Sequence, residues 1–385
     1  MGTILPLLEN EIYPQRALKV IATETKFLLE LDPFLQSELA RSQFQKSLQE
    51  NLNFHYHNHP FTKWFFDAHH FHPKSITNEA SLQNIPPVMV NLYKEAYMCS
   101  VPKKEIVLEL TSSGTGGKKS YQRLDTASLQ RVKMLAYKIH ESLGMTSHET
   151  YNYLCFTYDP KVASDVGTAF TDELLTNFTQ KNEVYYAFEW DEAKKAFALN
   201  PPKIIETLKR FESSKLPTRI LGFPAFLWEI LETHDLHLQL GEKSWVQTGG
   251  GWKGKADQMI PKENFRISVA KRLGIPVQNV RDLFGMVEHG IPYVDCEYGA
   301  LHVPNYARVF IRSPQDLKVL PLGKIGLMHF LCSYNFSYPA PSLLTTDYGH
   351  LRDDCPCGRG LTLHFNERAG LKKHEGCAFK ATKLL

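Results

Sequence analysis

The stretch Ile106–Arg123, "IVLELTSSGTGGKKSYQR", carries the first residues whose types and spacing can do chemistry. A short apolar run, Ile106 to Leu110, reads as a buried strand. It empties into Thr111, Ser112, Ser113, Gly114, Thr115, Gly116, Gly117 and Lys118, followed by Lys119. Small hydroxyls, glycines and ammonium groups suit a loop that wraps phosphate oxygens. It is not a Walker loop: Ser112 stands where the first Gly belongs, and Lys119 stands where a hydroxyl should follow.

Three further segments offer chemistry of other kinds. "TGGGWKGK" ends a strand candidate in Gly249, Gly250 and Gly251, which allow a flat ligand to approach the backbone. "DLFGMVEHG" presents Phe284, Gly285 and then the Glu288 carboxylate, and "TTDYGHL" places Asp347 in an expected turn, with Arg368 following in "NERAGLKK". Cys296 and His302, with the distant Cys355-Pro-Cys357, make three thiolates and an imidazole. That is the ligand set of a closed structural zinc site, with reduced, packed cysteines as the alternative. The histidines 55, 57, 59, 69, 70 and 72 lie among aromatics without an acidic or Cys partner nearby, so packing is expected of them.

The elements that position these residues alternate. Strand candidates at 151–158, 183–188, 218–223, 244–250 and 324–331 are interleaved with amphipathic helices, such as the one starting at Asp125 or Thr126. Two helices open at Pro201 and Pro224. The pattern predicts an α/β fold. Residues 1–100 read as a helical, aromatic segment packed on a core at 101–365, with 366–385 as a tail. At 385 residues, 43% hydrophobic, the chain can bury a sizeable core. The net charge of +3 is spread along the chain, which argues against nucleic acid as the main partner. Neither a signal peptide nor an apolar run near ~18 residues is present, so no membrane span is expected. Seven scattered cysteines suit a reducing, cytoplasmic setting rather than a disulfide framework. Oligomeric state is left open.

In their order along the chain, these motifs resemble the adenylate-forming superfamily of acyl-CoA synthetases, firefly luciferases and peptide-synthetase adenylation domains. The Gly-rich loop is similar to its T-S-G-T-T-G-x-P-K signature, with an extra Ser and no Pro. Phe284-Gly285-Met286-Val287-Glu288 is similar to Y-G-x-T-E, Thr346-Asp347 to T-G-D, and Arg368 to G-R. Within the superfamily, "GFPAFLWEIL" and "CPCGR" resemble the phenylacetate-CoA ligase branch. "NFHYHNH", "LTSSGTGGKKS", "TGGGWKGK" and "EGCAF" resemble LuxE-type acyl-protein synthetases, although the pattern of the luminous-bacterial enzymes lacks the zinc-type cysteines.

The resemblance implies stacked α/β sheets of the superfamily's large N-terminal domain, with the mobile C-terminal lid reduced to a short tail. It implies ATP, Mg²⁺ and a long-chain fatty acid, joined into acyl-AMP. Lys118 and its loop would bind phosphates, Glu288 would hold Mg²⁺, Phe284 and the glycines would sandwich adenine, and Asp347 and Arg368 would fix ribose. Cys377, among Lys372, Lys373, His374 and Lys380, would carry the acyl group to a reductase partner, an acyl carrier or CoA. The rival readings are an acyl- or aryl-CoA ligase and an inactive, zinc-stabilised scaffold.

Overall fold

The computed structural model describes residues 22–111, 120–159, 167–192, 195–252, 255 and 258–368. Two expectations thereby lie outside the described residues: the loop from Ser112 through Lys118, and the tail with Cys377.

Three helices open the described chain: α1 (Thr23–Glu30), α2 (Glu38–Asn58) and α3 (Pro60–Ala68). Ser37 caps α2 by accepting from the Ala40 N–H at 3.1 Å. One face of α2 buries Phe44, Leu48 and Leu52; beside it runs a buried polar row of Ser47, Asn51 and His55. That row bonds across the molecule. Ser47 Oγ lies 2.6 Å from Ser333 Oγ, Asn51 donates to the Asn335 carbonyl at 2.8 Å, and His55 bridges Ser100 Oγ and the Asn335 carbonyl. Burial brings the His55 imidazole down to about 4 and that of His59 to about 3, so both rings work as neutral hydrogen-bonding groups. His59 caps α3, accepting from the Thr62 N–H. The expected packing role holds for His55 and His59, whereas His57, His69 and His70 are exposed and His72 is half-buried.

After β1 (Val88–Met89) and α4 (Leu92–Glu95), the strands β2 (Ile106–Thr111) and β3 (Tyr121–Asp125) form an antiparallel hairpin. Asp125 then caps α5 (Thr126–Ser142), accepting from the Ser128 N–H at 2.7 Å. The alternating section follows: β4 (Thr150–Tyr158), α6 (Gly167–Thr176), β5 (Gln180–Asp191), β6 (Ala196–Leu199), α7 (Pro201–Ser214), β7 (Thr218–Gly222), α8 (Pro224–Thr233), β8 (Trp245–Gly249), α9 (Lys262–Leu273) and β9 (Val280–Phe284). With β10 (Tyr293–Val294) they make a sheet in the order β10-β9-β8-β7-β4-β5-β6, parallel from β9 to β5 and antiparallel at both edges.

The rest of the chain builds a second sheet. It takes β11 (Leu301–His302), β12 (Ala307–Arg312), β13 (Gly326–Cys332), β14 (Ser342–Arg352) and β15 (Thr362–Arg368), antiparallel in the order β11-β15-β14-β13-β12. β1 joins it parallel to β14, so the N-terminal segment contributes a strand to the core sheet.

Strand alternation sorts the two largest buried clusters onto opposite faces of the parallel sheet. Leu154, Phe156, Ile220, Val246 and Val280 face one side of the parallel sheet, against Leu208, Phe226, Val269 and Leu273 of its helices. Tyr153 and Cys155 face the other side, in one cluster with Leu135 and Ile139 of α5, Phe44 and Leu48 of α2, and Met328 and Phe330 of β13. Among the described residues no helix is long and apolar enough to cross a membrane.

Candidate active site and metal centre

In open α/β sheets, ligands bind beyond the carboxyl ends of the parallel strands. Two sequence motifs lie there. β8 ends at Gly249, paired with Leu283 of β9, and β9 ends one residue later at Phe284. Gly250 has φ +74°, and a Cβ there would meet the Phe223 ring at 2.6 Å, so this turn requires glycine. The Phe284 ring packs against Phe365 of β15, with centroids 4.2 Å apart, and against Tyr293 and Phe330 more loosely.

Asp347 lies inside β14 rather than in the expected turn. The Thr345 hydroxyl accepts from the Asp347 N–H at 3.1 Å, and β14 continues to Arg352 along β15. The Thr-Thr-Asp signature mimics a turn locally, whereas pairing with β15 satisfies the backbone as a strand. That pairing sets Asp347 directly opposite Arg368. Phe284 packs on Phe365 of β15, the strand on which Arg368 is paired with Asp347; Phe365 is 40% exposed and carried no signal in the sequence.

Glu288 sits in a tight turn closed by the His289 and Gly290 N–H groups on the Met286 carbonyl, at 3.1 and 2.7 Å. Gly290 has φ +77°, and any side chain there would run into the Tyr334 hydroxyl. The Glu288 side chain is buried, and among the described residues no hydrogen bond or ion pair engages it. It lines a narrow cleft with Gln122, His289, Cys332, Tyr334 and Tyr338. Gln122 lies just past the Gly-rich loop, in β3, and donates to the Tyr334 hydroxyl at 2.7 Å, which joins the base of that loop to the Glu288 turn. Thr111, at the loop's other end, is buried opposite Tyr121. Burial brings His289 down to about 3 and pushes the Cys332 thiol up to about 12. These cleft residues escaped the sequence reading because neither tyrosines nor a Gln in a strand form a motif.

The four Cys/His residues do come together. Cys296 opens the turn after β10, His302 is on β11, and β11 pairs with β15, whose preceding loop brings Cys355 and Cys357. Their ligand atoms all lie within 4.8 Å of one another. Cys296 Sγ is 3.6 Å from Cys355 Sγ, the Cys355 and Cys357 sulfurs are 3.4 Å apart, and Cys357 Sγ is 3.0 Å from His302 Nε2. Burial, and then the Arg359 guanidinium, lower the His302 imidazole, which favours its neutral, ligating form. Arg359 is itself anchored on Glu297 at 2.9 Å.

The sheets have known counterparts. An open conformation of 2-hydroxyisobutyryl-CoA ligase in complex with 2-HIB-AMP and CoA superposes with a TM-score of 0.64 at 14% identity, over 85% of this chain and 69% of that one. The fold is that of the adenylate-forming ligases. In sequence, the chain is 23% identical over 353 residues to a long-chain-fatty-acid–luciferin-component ligase of Aliivibrio fischeri, covering 88% of each protein. The protein of the same description from Vibrio harveyi is also 23% identical, over 361 residues and 89% of each chain. The model of the acyl-protein synthetase, LuxE, family matches residues 15–385, and the chain belongs to that family. It is an ATP-dependent acid–thiol ligase. The match begins well before the motif-bearing region and takes in the N-terminal helices.

Proposed function

We propose that the enzyme activates a long-chain fatty acid as acyl-AMP and then carries the acyl group on its own Cys377. A carboxylate oxygen of the acid attacks the α-phosphorus of ATP, the bond from that phosphorus to the bridging oxygen breaks, and pyrophosphate leaves. The Cys377 thiolate then attacks the acyl carbonyl, and AMP departs with the electron pair of the broken C–O bond. The thioester on the 366–385 tail passes the acyl group to a reductase partner in the cytoplasm.

What supports this reading is the packing of Phe284, at the carboxyl end of β9, on Phe365 of β15, the strand that pairs Arg368 with Asp347. An aromatic face beside Gly249–Gly251 suits adenine, and a carboxylate opposite a guanidinium position suits ribose hydroxyls. Thr111 and the loop to Lys118 would hold the phosphates. Glu288 fits a metal site because a buried carboxylate without a cation is costly, and none of the described residues supplies one. Mg²⁺ there would offset the repulsion between the acid and the phosphates.

Cys296, His302, Cys355 and Cys357 fit Zn²⁺ on donor type and mutual reach. Four protein ligands leave no open position, so this metal would be structural.

Burial pushes the Cys99 thiol up to about 11 and that of Cys332 to about 12, which disfavours either as an acyl carrier. Incubation with ATP, Mg²⁺ and labelled tetradecanoate should therefore give a covalent label that neutral hydroxylamine removes. Cys377→Ser should abolish it while pyrophosphate release continues. Normal labelling of that variant, or labelling only with added CoA, would favour a CoA ligase.

A further inference from the structure

The segment Ser333–Tyr338, between β13 and β14, is irregular backbone, yet all six of its residues are buried. Such a segment persists only where other elements satisfy its polar groups. Asn335 is its hub. The Asn335 carbonyl takes two donors from α2, Asn51 Nδ2 at 2.8 Å and His55 Nε2 at 3.0 Å. A carbonyl oxygen cannot donate, so the proton of the neutral His55 ring sits on Nε2, and Nδ1 accepts from the Ser100 hydroxyl at 2.8 Å. The Asn335 side chain passes the constraint on: its Oδ1 accepts from the Ser337 and Tyr338 N–H groups at 2.9 and 3.0 Å. Ser337 Oγ lies 2.9 Å from the Arg123 carbonyl and accepts from the Asp125 N–H at 3.0 Å.

Both flanks of the segment belong to the reaction. Arg123 and Asp125 are on β3, the strand that leaves the Gly-rich loop, and Gln122 of the same strand donates to the Tyr334 hydroxyl at 2.7 Å. That hydroxyl also stands against Gly290, in the turn that carries Glu288. One further detail separates the α2 contacts from ordinary packing. Asn51 Oδ1 is buried and has no hydrogen-bond partner among the described residues. The Asn51 amide thus costs the fold a desolvated acceptor, which an apolar side chain of similar size would avoid. What the amide provides is the donor to Asn335.

We propose that Asn51 and His55 are positioning residues for acid activation. Through the Asn335 carbonyl they fix the 333–338 segment, and with it the spacing between the base of the Gly-rich loop and the Glu288 turn. Attack on the α-phosphorus needs the phosphates and the metal in register, and a shift of about 1 Å can cost roughly 100-fold in rate. The assignment rests on the acid-activation reading and gives the "NFHYHNH" stretch, which contains His55, a part in it. Neither residue touches substrate.

Two substitutions at one position separate positioning from stability. In His55→Gln the amide N–H replaces the Nε2 donor to Asn335. In His55→Asn the shorter amide replaces Nδ1 and leaves the Asn335 carbonyl to Asn51 alone. Each variant forfeits one buried hydrogen bond, so their Tm values should fall alike. ATP–pyrophosphate exchange should tell them apart. We expect kcat to fall about tenfold or more in His55→Asn and to stay within about threefold of the parent in His55→Gln. The KM values for ATP and tetradecanoate should hold in both, as for an interaction that acts in the transition state. Asn51→Leu should keep its Tm, since it also removes the unpartnered oxygen, and should still lower kcat by about tenfold. Amide hydrogen exchange at Asp125, Ser337 and Tyr338 should quicken in His55→Asn and Asn51→Leu only. Equal kcat in the two His55 variants, kcat losses that follow Tm, or an unchanged kcat in Asn51→Leu would overturn the assignment; if neither His55 variant folds, Asn51→Leu decides alone. A parent protein without pyrophosphate exchange sinks the acid-activation reading instead, and the amide pattern then decides the relay from α2 to β3 by itself.

Discussion

The Cys/His cluster and the Glu288 cleft are both built from buried polar groups, yet in the first the chemistry-bearing atoms face one another and in the second the carboxylate faces no cation among the described residues. In the cluster, four donors face one another within 4.8 Å, and Arg359 is held in place by Glu297. In the cleft, none of the described residues offers a cation to the buried Glu288 carboxylate. A structural site meets its own needs once its ion is bound. A reacting site leaves its needs open for substrate, at a cost in stability. The same types of side chain therefore predict opposite responses to substitution.

The largest effect should come from the closed site. Purified protein should hold about one zinc per chain by elemental analysis. Cys355→Ser or Cys357→Ser should lose the metal and destabilise the fold by on the order of 5 kcal/mol, visible as a lower Tm, because structural metal binding contributes folding free energy directly. A fully stable, metal-free preparation would break the comparison at its first arm. The open site should respond the other way. Glu288→Gln should lower pyrophosphate exchange by about 100-fold or more, while Tm stays level or rises, since an unpaired buried carboxylate is removed. A variant that unfolds with its activity would make Glu288 a structural residue like the cysteines.

The two sites also differed in how far the sequence revealed them. Cys296, His302, Cys355 and Cys357 were legible because ligand type alone narrows the choice, even with the pairs far apart. Four of the parallel strands were legible as short apolar runs, with errors at the ends, as where the run expected at 183–188 extends over Gln180–Asp191; β9 was read for its motif residues and not as a strand. Asp347 was assigned to a turn because Thr-Thr-Asp-Tyr-Gly has turn composition; its strand pairing depends on β15, which a local reading does not see. Tyr334, Tyr338, His289 and Phe365 were illegible for a different reason. Tyr334 and Tyr338 come from the segment between β13 and β14, His289 from the Glu288 turn and Phe365 from β15, and no spacing along the chain encodes how these segments meet.

The smallest effect sharpens the comparison at the seam between the two sites. Asp282 of β9 lies two residues before Phe284, and Asp295 immediately precedes Cys296. The two strands tie them together: the Asp282 N–H donates to Asp295 Oδ2 at 2.7 Å, and the Asp295 N–H donates to the Asp282 carbonyl at 3.0 Å. Lys262 pairs with Asp295 at 2.7 Å, and the Thr248 hydroxyl donates to Asp282 at 3.1 Å. Enclosure raises the Asp282 carboxyl to about 6; Lys262 opposes the shift and the Asp295 carboxylate adds to it. A carboxyl whose folded pKa lies above its unfolded value of about 3.9 favours the fold while protonated. That contribution is full below pH ~4 and is lost as pH rises through ~6. Asp282→Asn keeps a neutral side chain at every pH, so above pH ~7 the variant should be more stable than the parent by about 1–2 kcal/mol. Near pH 4 the two should melt together. Denaturant titrations at both pH values check this, and an Asn variant less stable at high pH would show that the ionised carboxylate at the seam is held by a partner, as in the closed site.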